Sequence, residues 1–185
     1  LATAYYIDCR NQQITVFPFG NGTGRMMANA GRSRSLGVEM EAMWKWKGLN
    51  VNASASFMNA RFAEYYDGRE DYSGNRIPYS PSSTLYMRAS YRFPVNSRML
   101  SAVMLSADVS RTGSIAWNET GDMSQPAYVL LGAEVRCLFK GIDLFIRGDN
   151  LTGTDYCTFY FKSVGNSFFQ AGKPGRWNAG VAMDF

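Results

Sequence analysis

The chain repeats a two-residue alternation of apolar and mostly polar side chains in eight separate segments. Successive side chains of a β-strand point to opposite sides, so this period indicates strands whose two faces meet different surroundings. A helix would instead need apolar residues three and four positions apart. The predicted strands cover residues 1–10, 35–46, 49–57, 84–93, 103–110, 129–139, 142–147 and 176–185. In the first segment, the odd-numbered residues from Leu1 to Cys9 are taken as the apolar side.

The predicted connections alternate between short and long. Residues 47–48, 94–98 and 140–141 form short turns, whereas residues 18–32, 67–78, 118–127 and 163–175 form long, polar, Gly-rich loops. Soluble β-hairpins usually have loops of about two to five residues. Short turns on one side and long loops on the other are typical of an outer-membrane barrel. Several aromatic residues lie at the short-turn ends of the apolar faces and predict a girdle at a membrane interface: Trp44, Trp46, Tyr91, Phe93, Phe139 and Phe185.

The composition of the chain argues against several classes of function. No stretch approaches 18 consecutive apolar residues, which excludes a transmembrane helix. The net charge of +4 is scattered and forms no basic block, so no nucleic-acid partner is expected. The chain has no His, and its three Cys are unclustered, which argues against a zinc site or a Cys–His catalytic pair. With no Gly-x-Ser-x-Gly motif either, we expect no enzyme, no metal site and no cofactor.

The polar faces of the predicted strands distinguish two architectures. A soluble β-sandwich would also alternate, with its apolar face turned to a core. The polar faces, however, carry charges of both signs that a small closed core would tolerate poorly. A wide hydrated lumen, or a lumen filled by a polar plug, accommodates them. These residues are Glu39, Glu41, Arg88, Arg92, Asp108, Glu134, Arg136 and Arg147.

Five motifs in sequence resemble the barrel of a TonB-dependent outer-membrane receptor. They lie at residues 5–14, 29–39, 76–81 and 149–156 and in the closing strand that ends at Phe185. The resemblance implies an all-β, antiparallel, up-and-down transmembrane barrel, of which these are the last eight of 22 strands. Residues 1–185 would then be the C-terminal part of the barrel, with the plug domain and earlier strands absent. One departure is Thr152-Gly153, where the family often has an aromatic residue with Asn, or Thr with Asp.

The resemblance also implies a function and partners. Such a receptor takes up a scarce solute (a siderophore, cobalamin, a glycan or similar) across the outer membrane of a Gram-negative bacterium. The energy comes from the TonB–ExbB–ExbD system through the absent N-terminal parts. Outer-membrane lipid and the barrel assembly machinery are the other expected partners. The alternative is a self-contained eight-stranded barrel that serves as an adhesin or structural anchor, and such a barrel would close on itself.

Two sets of residues are candidates for sites. Long-loop residues with aromatic or hydrogen-bonding side chains could contact the solute, or could simply pack the loops: Arg76, Tyr79, Trp117, Phe168, Phe169 and Gln170. By resemblance, the alternating apolar residues of the last strand form the C-terminal assembly signal: Trp177, Val181, Met183 and Phe185.

Overall fold

A computed structural model describes residues 1–16, 26–29, 31–163 and 165–183 of the chain. These residues form β-strands, turns and loops, and none of them lies in a helix long and apolar enough to span a membrane. The strands are β1 (Ala2–Arg10), β2 (Gln13–Val16), β3 (Met26–Asn29), β4 (Arg32–Trp46), β5 (Leu49–Glu64), β6 (Ser83–Pro94), β7 (Leu100–Thr112), β8 (Ile115–Ala116), β9 (Ser124–Gln125), β10 (Tyr128–Phe139), β11 (Ile142–Asp149), β12 (Cys157–Ser163), β13 (Asn166–Ala171) and β14 (Arg176–Met183).

Eight strands form one antiparallel sheet in the order β1-β4-β5-β6-β7-β10-β11-β14. They correspond to the eight predicted strands, so the all-β up-and-down prediction is confirmed. The three short turns also lie where predicted, between β4 and β5, β6 and β7, and β10 and β11. At the opposite ends, the long connections contain three further antiparallel pairs: β2–β3, β8–β9 and β12–β13. These pairs were not predicted, and β12–β13 begins at Cys157 within the span expected to precede the last loop.

The sheet has one apolar face that no other layer covers within the described part of the chain. Cross-strand pairs keep the apolar rows in phase, for example Met40 opposite Ala55 and Val135 opposite Ile146. The side chain of Leu36 is 58% exposed and that of Leu131 is 38% exposed. A soluble sandwich would bury these rows in a core, so that alternative is wrong. The aromatic residues predicted for the girdle share this face at the short-turn ends, where Trp44 stacks on Trp46 with ring centroids 6.2 Å apart; Phe185 lies outside the described residues.

The first strand has the opposite phase from the predicted one. Ala4 pairs with Val38 and Tyr6 pairs with Leu36, so the even-numbered residues of β1 lie on the apolar face. The odd-numbered Tyr5 lies opposite Gly37, on the polar face. Its ring covers the glycine, at a place where a side chain on residue 37 would collide with it. The alternation of β1 was misread because Ala and Thr give little contrast, and only pairing with β4 sets the phase.

The polar face carries a ladder of ion pairs across five strands, from β6 to β14. Glu134 on β10 is 6% exposed and lies 3.5 Å from Arg88 of β6 and 3.1 Å from Arg136 of its own strand. Asp149 on β11 continues the ladder to Arg176 of β14, with a distance of 3.3 Å. Because each acid of this set has arginine partners, the partly buried charges of these five strands are paired, which is what a partly buried charge requires. We call this set, with Asp108 and Arg147, the charge ladder.

The central pair of the charge ladder joins two strands that are not neighbours. Arg147 of β11 donates to both carboxylate oxygens of Asp108 on β7, at 2.8 and 3.2 Å. Strand β10 runs between them and contributes Gly132, opposite Asp108, at this place. A Cβ on residue 132 would lie 2.6 Å from an Asp108 oxygen and 2.9 Å from an Arg147 nitrogen. The absence of a side chain at Gly132 therefore lets the bidentate pair pass over the middle strand.

Replacing Gly132 by valine is expected to destabilise the folded protein by about 1–3 kcal/mol, because the added carbons force Asp108 and Arg147 apart. Urea unfolding in detergent, followed by tryptophan fluorescence, would measure the change. Ala133→Val is the control, since residue 133 is adjacent but faces the apolar side. Equal losses in the two variants would contradict the role assigned to Gly132.

Candidate functional site

The long loops on the side opposite the short turns are folded against one another. At the end of β5 and in the connection to β6, Phe62, Tyr65 and Tyr72 form a buried cluster, with Ile77 packed against it. The ring of Tyr65 lies 4.9 Å from that of Phe62 and 5.2 Å from that of Tyr72, measured between centroids. Edge-tilted aromatic pairs of this kind each stabilise by about 0.5–1.5 kcal/mol beyond the area they bury. The connection thus has its own small core.

Polar groups hold the tip of the same connection. The Asp67 carboxylate accepts hydrogen bonds from the backbone N–H groups of Arg69 and Glu70, both at 2.8 Å, and from the Tyr72 hydroxyl at 3.1 Å. Donors to the ionised form lower the pKa of Asp67, first of all the two backbone amides. Glu119, in the next long connection, shows the opposite shift. Burial disfavours its ionised form and raises its pKa, and the negative charge of Asp67 raises it further.

Arg76 joins two of the connections. Its guanidinium donates to the Ser114 hydroxyl at 3.0 Å, to the Ser114 carbonyl at 2.8 Å and to the Ser80 carbonyl at 3.3 Å. Nearby, the amide of Asn75 donates to the backbone carbonyl of Glu119 at 3.0 Å. The structure therefore places Arg76, one of the predicted solute contacts, between two connections, where its two terminal nitrogens donate to loop groups.

Five aromatic rings form a continuous row across three connections. Tyr79 lies between Trp117 and Phe159, with centroid distances of 5.7 and 5.2 Å. The row continues through Phe161, 5.6 Å from Phe159, to Phe168, 5.0 Å from Phe161. We call these five residues the aromatic row. Three of its members, Tyr79, Trp117 and Phe168, are predicted site residues, whereas Phe159 and Phe161 were not predicted. The alternation of apolar and polar side chains in residues 157–163 is the sequence signal of the strand that carries them.

Backbone geometry positions Tyr79 in the aromatic row, between Trp117 and Phe159. Tyr79 follows Pro78 and has a backbone φ of 61°, a value that residues other than glycine rarely adopt. Its N–H donates to the Ala116 carbonyl at 2.8 Å, and its hydroxyl donates to the Tyr160 carbonyl at 3.2 Å. These bonds hold the unusual conformation and orient the ring towards both neighbouring connections.

The remaining predicted contacts lie near the aromatic row but do not extend it. Gln170 pairs with Phe159 across the β12–β13 hairpin, so its side chain is on the same face of the hairpin. Phe169 pairs with Tyr160 on the other face and is 67% exposed. The surface thus offers flat aromatic faces and a few polar edges, which suits binding of a solute. The described residues contain no cluster of three or more acidic or Cys side chains able to hold a metal ion.

The last strand presents the predicted assembly residues together. Trp177, Val181 and Met183 lie on the apolar face of β14, where they are 67%, 57% and 55% exposed. Phe185 lies outside the described residues. Strand β14 is one edge of the eight-stranded sheet and β1 is the other, and no strand pairing joins them among the residues described.

Comparison with known proteins decides the family. The family model of the TonB dependent receptor-like β-barrel matches residues 1–151, which is most of the chain. The chain belongs to the TonB-dependent receptor β-barrel family. No curated protein sequence matches it.

Solved receptors of this kind share the fold. The chain matches the ferric yersiniabactin uptake receptor FyuA of Yersinia pestis with a TM-score of 0.77 and 20% identity, covering 97% of this chain and 26% of that one. For the siderophore receptor PiuA of Acinetobacter baumannii the TM-score is 0.72, with 16% identity and coverages of 97% and 25%. For the ferric-catecholate import receptor Fiu of E. coli K12 it is 0.71, with 16% identity and coverages of 100% and 25%. The chain thus spans about a quarter of the length of these receptors.

Removing the Tyr79 ring, which links Trp117 to the β12–β13 hairpin, should loosen that hairpin in the receptor. Tyr79→Ala deletes two ring contacts, each of the order of 1 kcal/mol, so hydrogen exchange in residues 157–171 should speed up by about tenfold or more. Tyr66→Ala is the matched control, because Tyr66 is in the same connection and is 65% exposed. Exchange that is unchanged in Tyr79→Ala, or equally faster in both variants, would contradict the coupling.

Proposed function

We propose that this chain is the C-terminal part of the barrel wall of an outer-membrane receptor that takes up a scarce solute with energy delivered through TonB. The observation that carries the proposal is the family match over residues 1–151. The sheet supports it physically, because one face is apolar and exposed while the other carries an internally paired charge ladder. Such a wall separates hydrocarbon from a polar lumen.

The solute would meet this part of the receptor at the aromatic row and the residues around it. Tyr79, Trp117 and Phe168 are members of the row, and Gln170 flanks it. Flat rings offer apolar faces with polar edges, which suits siderophores, cobalamin or glycans. Arg76 would act by holding two connections in place. Phe169, on the other face of the hairpin, stays a predicted contact because of its exposure.

The remaining partners follow from the same proposal. The plug domain and the segment that engages the TonB–ExbB–ExbD system would belong to parts of the protein outside residues 1–185. The exposed apolar residues of β14, including Trp177, Val181 and Met183, together with Phe185, would be read by the barrel assembly machinery. The apolar face would contact outer-membrane lipid of a Gram-negative bacterium.

The rival function is a self-contained eight-stranded barrel that acts as an adhesin or anchor. Such a barrel would need a ladder between β1 and β14, since an open edge leaves backbone groups without partners in lipid. In the structure these two strands are the opposite edges of the sheet. That arrangement favours a wall continued by further strands on both sides.

The test is uptake by cells that carry the full receptor gene. A deletion strain is compared with its complemented strain, each with and without TonB, for accumulation of labelled ferric siderophores, cobalamin and oligosaccharides. We expect at least one of these solutes to accumulate only when both the receptor and TonB are present. Accumulation independent of TonB, or no difference for any solute tested, would overturn the proposal.

The aromatic row gives a sharper test with the solute found in that screen. Phe168→Ala should weaken binding by about tenfold, the loss expected for one aromatic contact of about 1–1.5 kcal/mol. Phe93→Ala is the control, because Phe93 is equally exposed but lies at the short-turn end of the sheet. Equilibrium binding to purified receptor, with equal amounts of folded protein, gives the readout. A drop for Phe93→Ala and none for Phe168→Ala would place the contact elsewhere.

A further inference from the structure

A pocket of about 210 Å³ opens on the face of the charge ladder, at its long-loop end. Its walls come from β7, β10, β11 and β14 and from the connections that follow β11 and β13. Asp155, next to Tyr156 in the first of these connections, does not line the pocket. Cations therefore outnumber carboxylates by one in the lining, whose charged side chains are Asp108, Arg147, Asp149, Lys173 and Arg176.

Both carboxylates of the pocket already have donors. Asp108 accepts from Arg147 at both of its oxygens. One oxygen of Asp149 accepts from the Arg147 Nε at 2.8 Å. Its other oxygen accepts from the Arg176 Nε at 3.3 Å and from the Asn178 amide at 3.2 Å. Each carboxylate oxygen thus accepts at least one hydrogen bond, and every side-chain nitrogen of Arg147 donates one.

Three side chains of the pocket keep donors that have no acceptor among the described residues. The Arg176 side chain is 46% exposed, and it uses only its Nε, so both terminal nitrogens are left over. The exposed Lys173 ammonium makes no ion pair within the part of the chain that the structure describes. The Tyr156 hydroxyl accepts from the backbone N–H of Lys173 at 3.3 Å and donates to none of the residues described. The pocket therefore offers donors to an occupant.

Neighbouring groups fix the backbone and the ring that carry these donors. The backbone carbonyl of Lys173 accepts from the side-chain amide of Asn150 at 3.0 Å, and Asn150 is buried. The Tyr156 ring stacks on Tyr128 with centroids 4.5 Å apart. The same ring covers Gly172, where an added Cβ would collide with it. Because the frame is already ordered, binding at the pocket has less ordering entropy to overcome.

We infer that this pocket binds a carboxylate or phosphate group of the transported solute through Lys173, Arg176 and Tyr156. An oxyanion supplies the acceptors that these donors lack, and hydrogen bonds between ionised groups are the strong ones. The inference rests on the proposed function and narrows it to solutes that carry an anionic group. Tyr156 precedes Phe159 of the aromatic row by three residues, at most about 11 Å of chain. One solute can therefore contact the row and the pocket together.

Protection of Lys173 from acetylation tests the pocket with simple anions as probes. The purified full receptor is treated with N-hydroxysuccinimidyl acetate in citrate, in inorganic phosphate or in sodium chloride of equal ionic strength, and peptide mass spectrometry gives the rate at each lysine. Citrate and phosphate should slow acetylation of Lys173, to about one third at twice the dissociation constant. Lys162 is the control, because it is exposed in the same hairpin on the face away from the aromatic row.

Two results would overturn the inference. One is equal slowing, or no slowing, at Lys173 and Lys162. The other is a Lys173 that is unreactive before any anion is added, because residues of the receptor itself would then fill the pocket.

Charge-removing variants connect the pocket to the solute found in the uptake screen. Lys173→Gln should weaken binding of an anionic solute by about fivefold, the loss of one partly exposed charged contact, whereas Lys162→Gln should not. The difference should shrink as salt is added. TonB-dependent uptake of neutral solutes alone, or equal binding by the two variants, would refute the inference and leave the proposed function standing. Citrate protection of Lys173 in a receptor without any TonB-dependent uptake would overturn the proposed function and leave the anion pocket.

Discussion

One phase relation organises the whole sheet: paired residues on neighbouring strands present apolar side chains to the same face. Because side chains alternate with a period of two, a slip of one residue in any strand would move its entire apolar row to the charged face. The pairings from β4 to β14 keep that phase, apart from register shifts at the strand ends next to Arg32 and Phe139. The exposed apolar face, the paired charges behind it and the placement of the long connections at one end all follow from this single relation.

The sequence was sufficient for the strands and their order because each carries its own alternation. It was not sufficient for β1, where Ala2, Ala4 and Tyr6 turned out to share the face of Leu36. Small and ambiguous side chains carry little phase information, and the register with β4 comes from backbone pairing over the length of the strand. The charges of the polar face were predicted as a set, but which acid meets which arginine depends on cross-strand neighbours that no local pattern contains.

The candidate site was predicted less completely than the fold. Tyr79, Trp117 and Phe168 were recognised as loop aromatics, yet nothing in their separate segments indicates that they lie in one row. Phe159 and Phe161, which connect them, belong to a hairpin that was not predicted: residues 157–162 were assigned to no element, and residues 163–175 were assigned to a loop. Arg76 was also named from its own segment, and the structure adds that its guanidinium donates to Ser80 and to Ser114 of the next connection. Contacts between segments distant in the chain decide both cases.

The missing side chain at Gly132 has a consequence for how such a wall is assembled. The hydrogen-bonded ion pair between Asp108 and Arg147 links β7 to β11 across β10. It can form only where β10 has no side chain beneath it, which is at Gly132. A β10 displaced by two residues would keep its apolar face correct and yet put Leu130 or Glu134 of its charged side beneath the pair in place of the gap. The apolar pattern does not distinguish that shifted register from the native one, whereas the crossing of the Asp108–Arg147 pair over Gly132 is compatible with the native register alone.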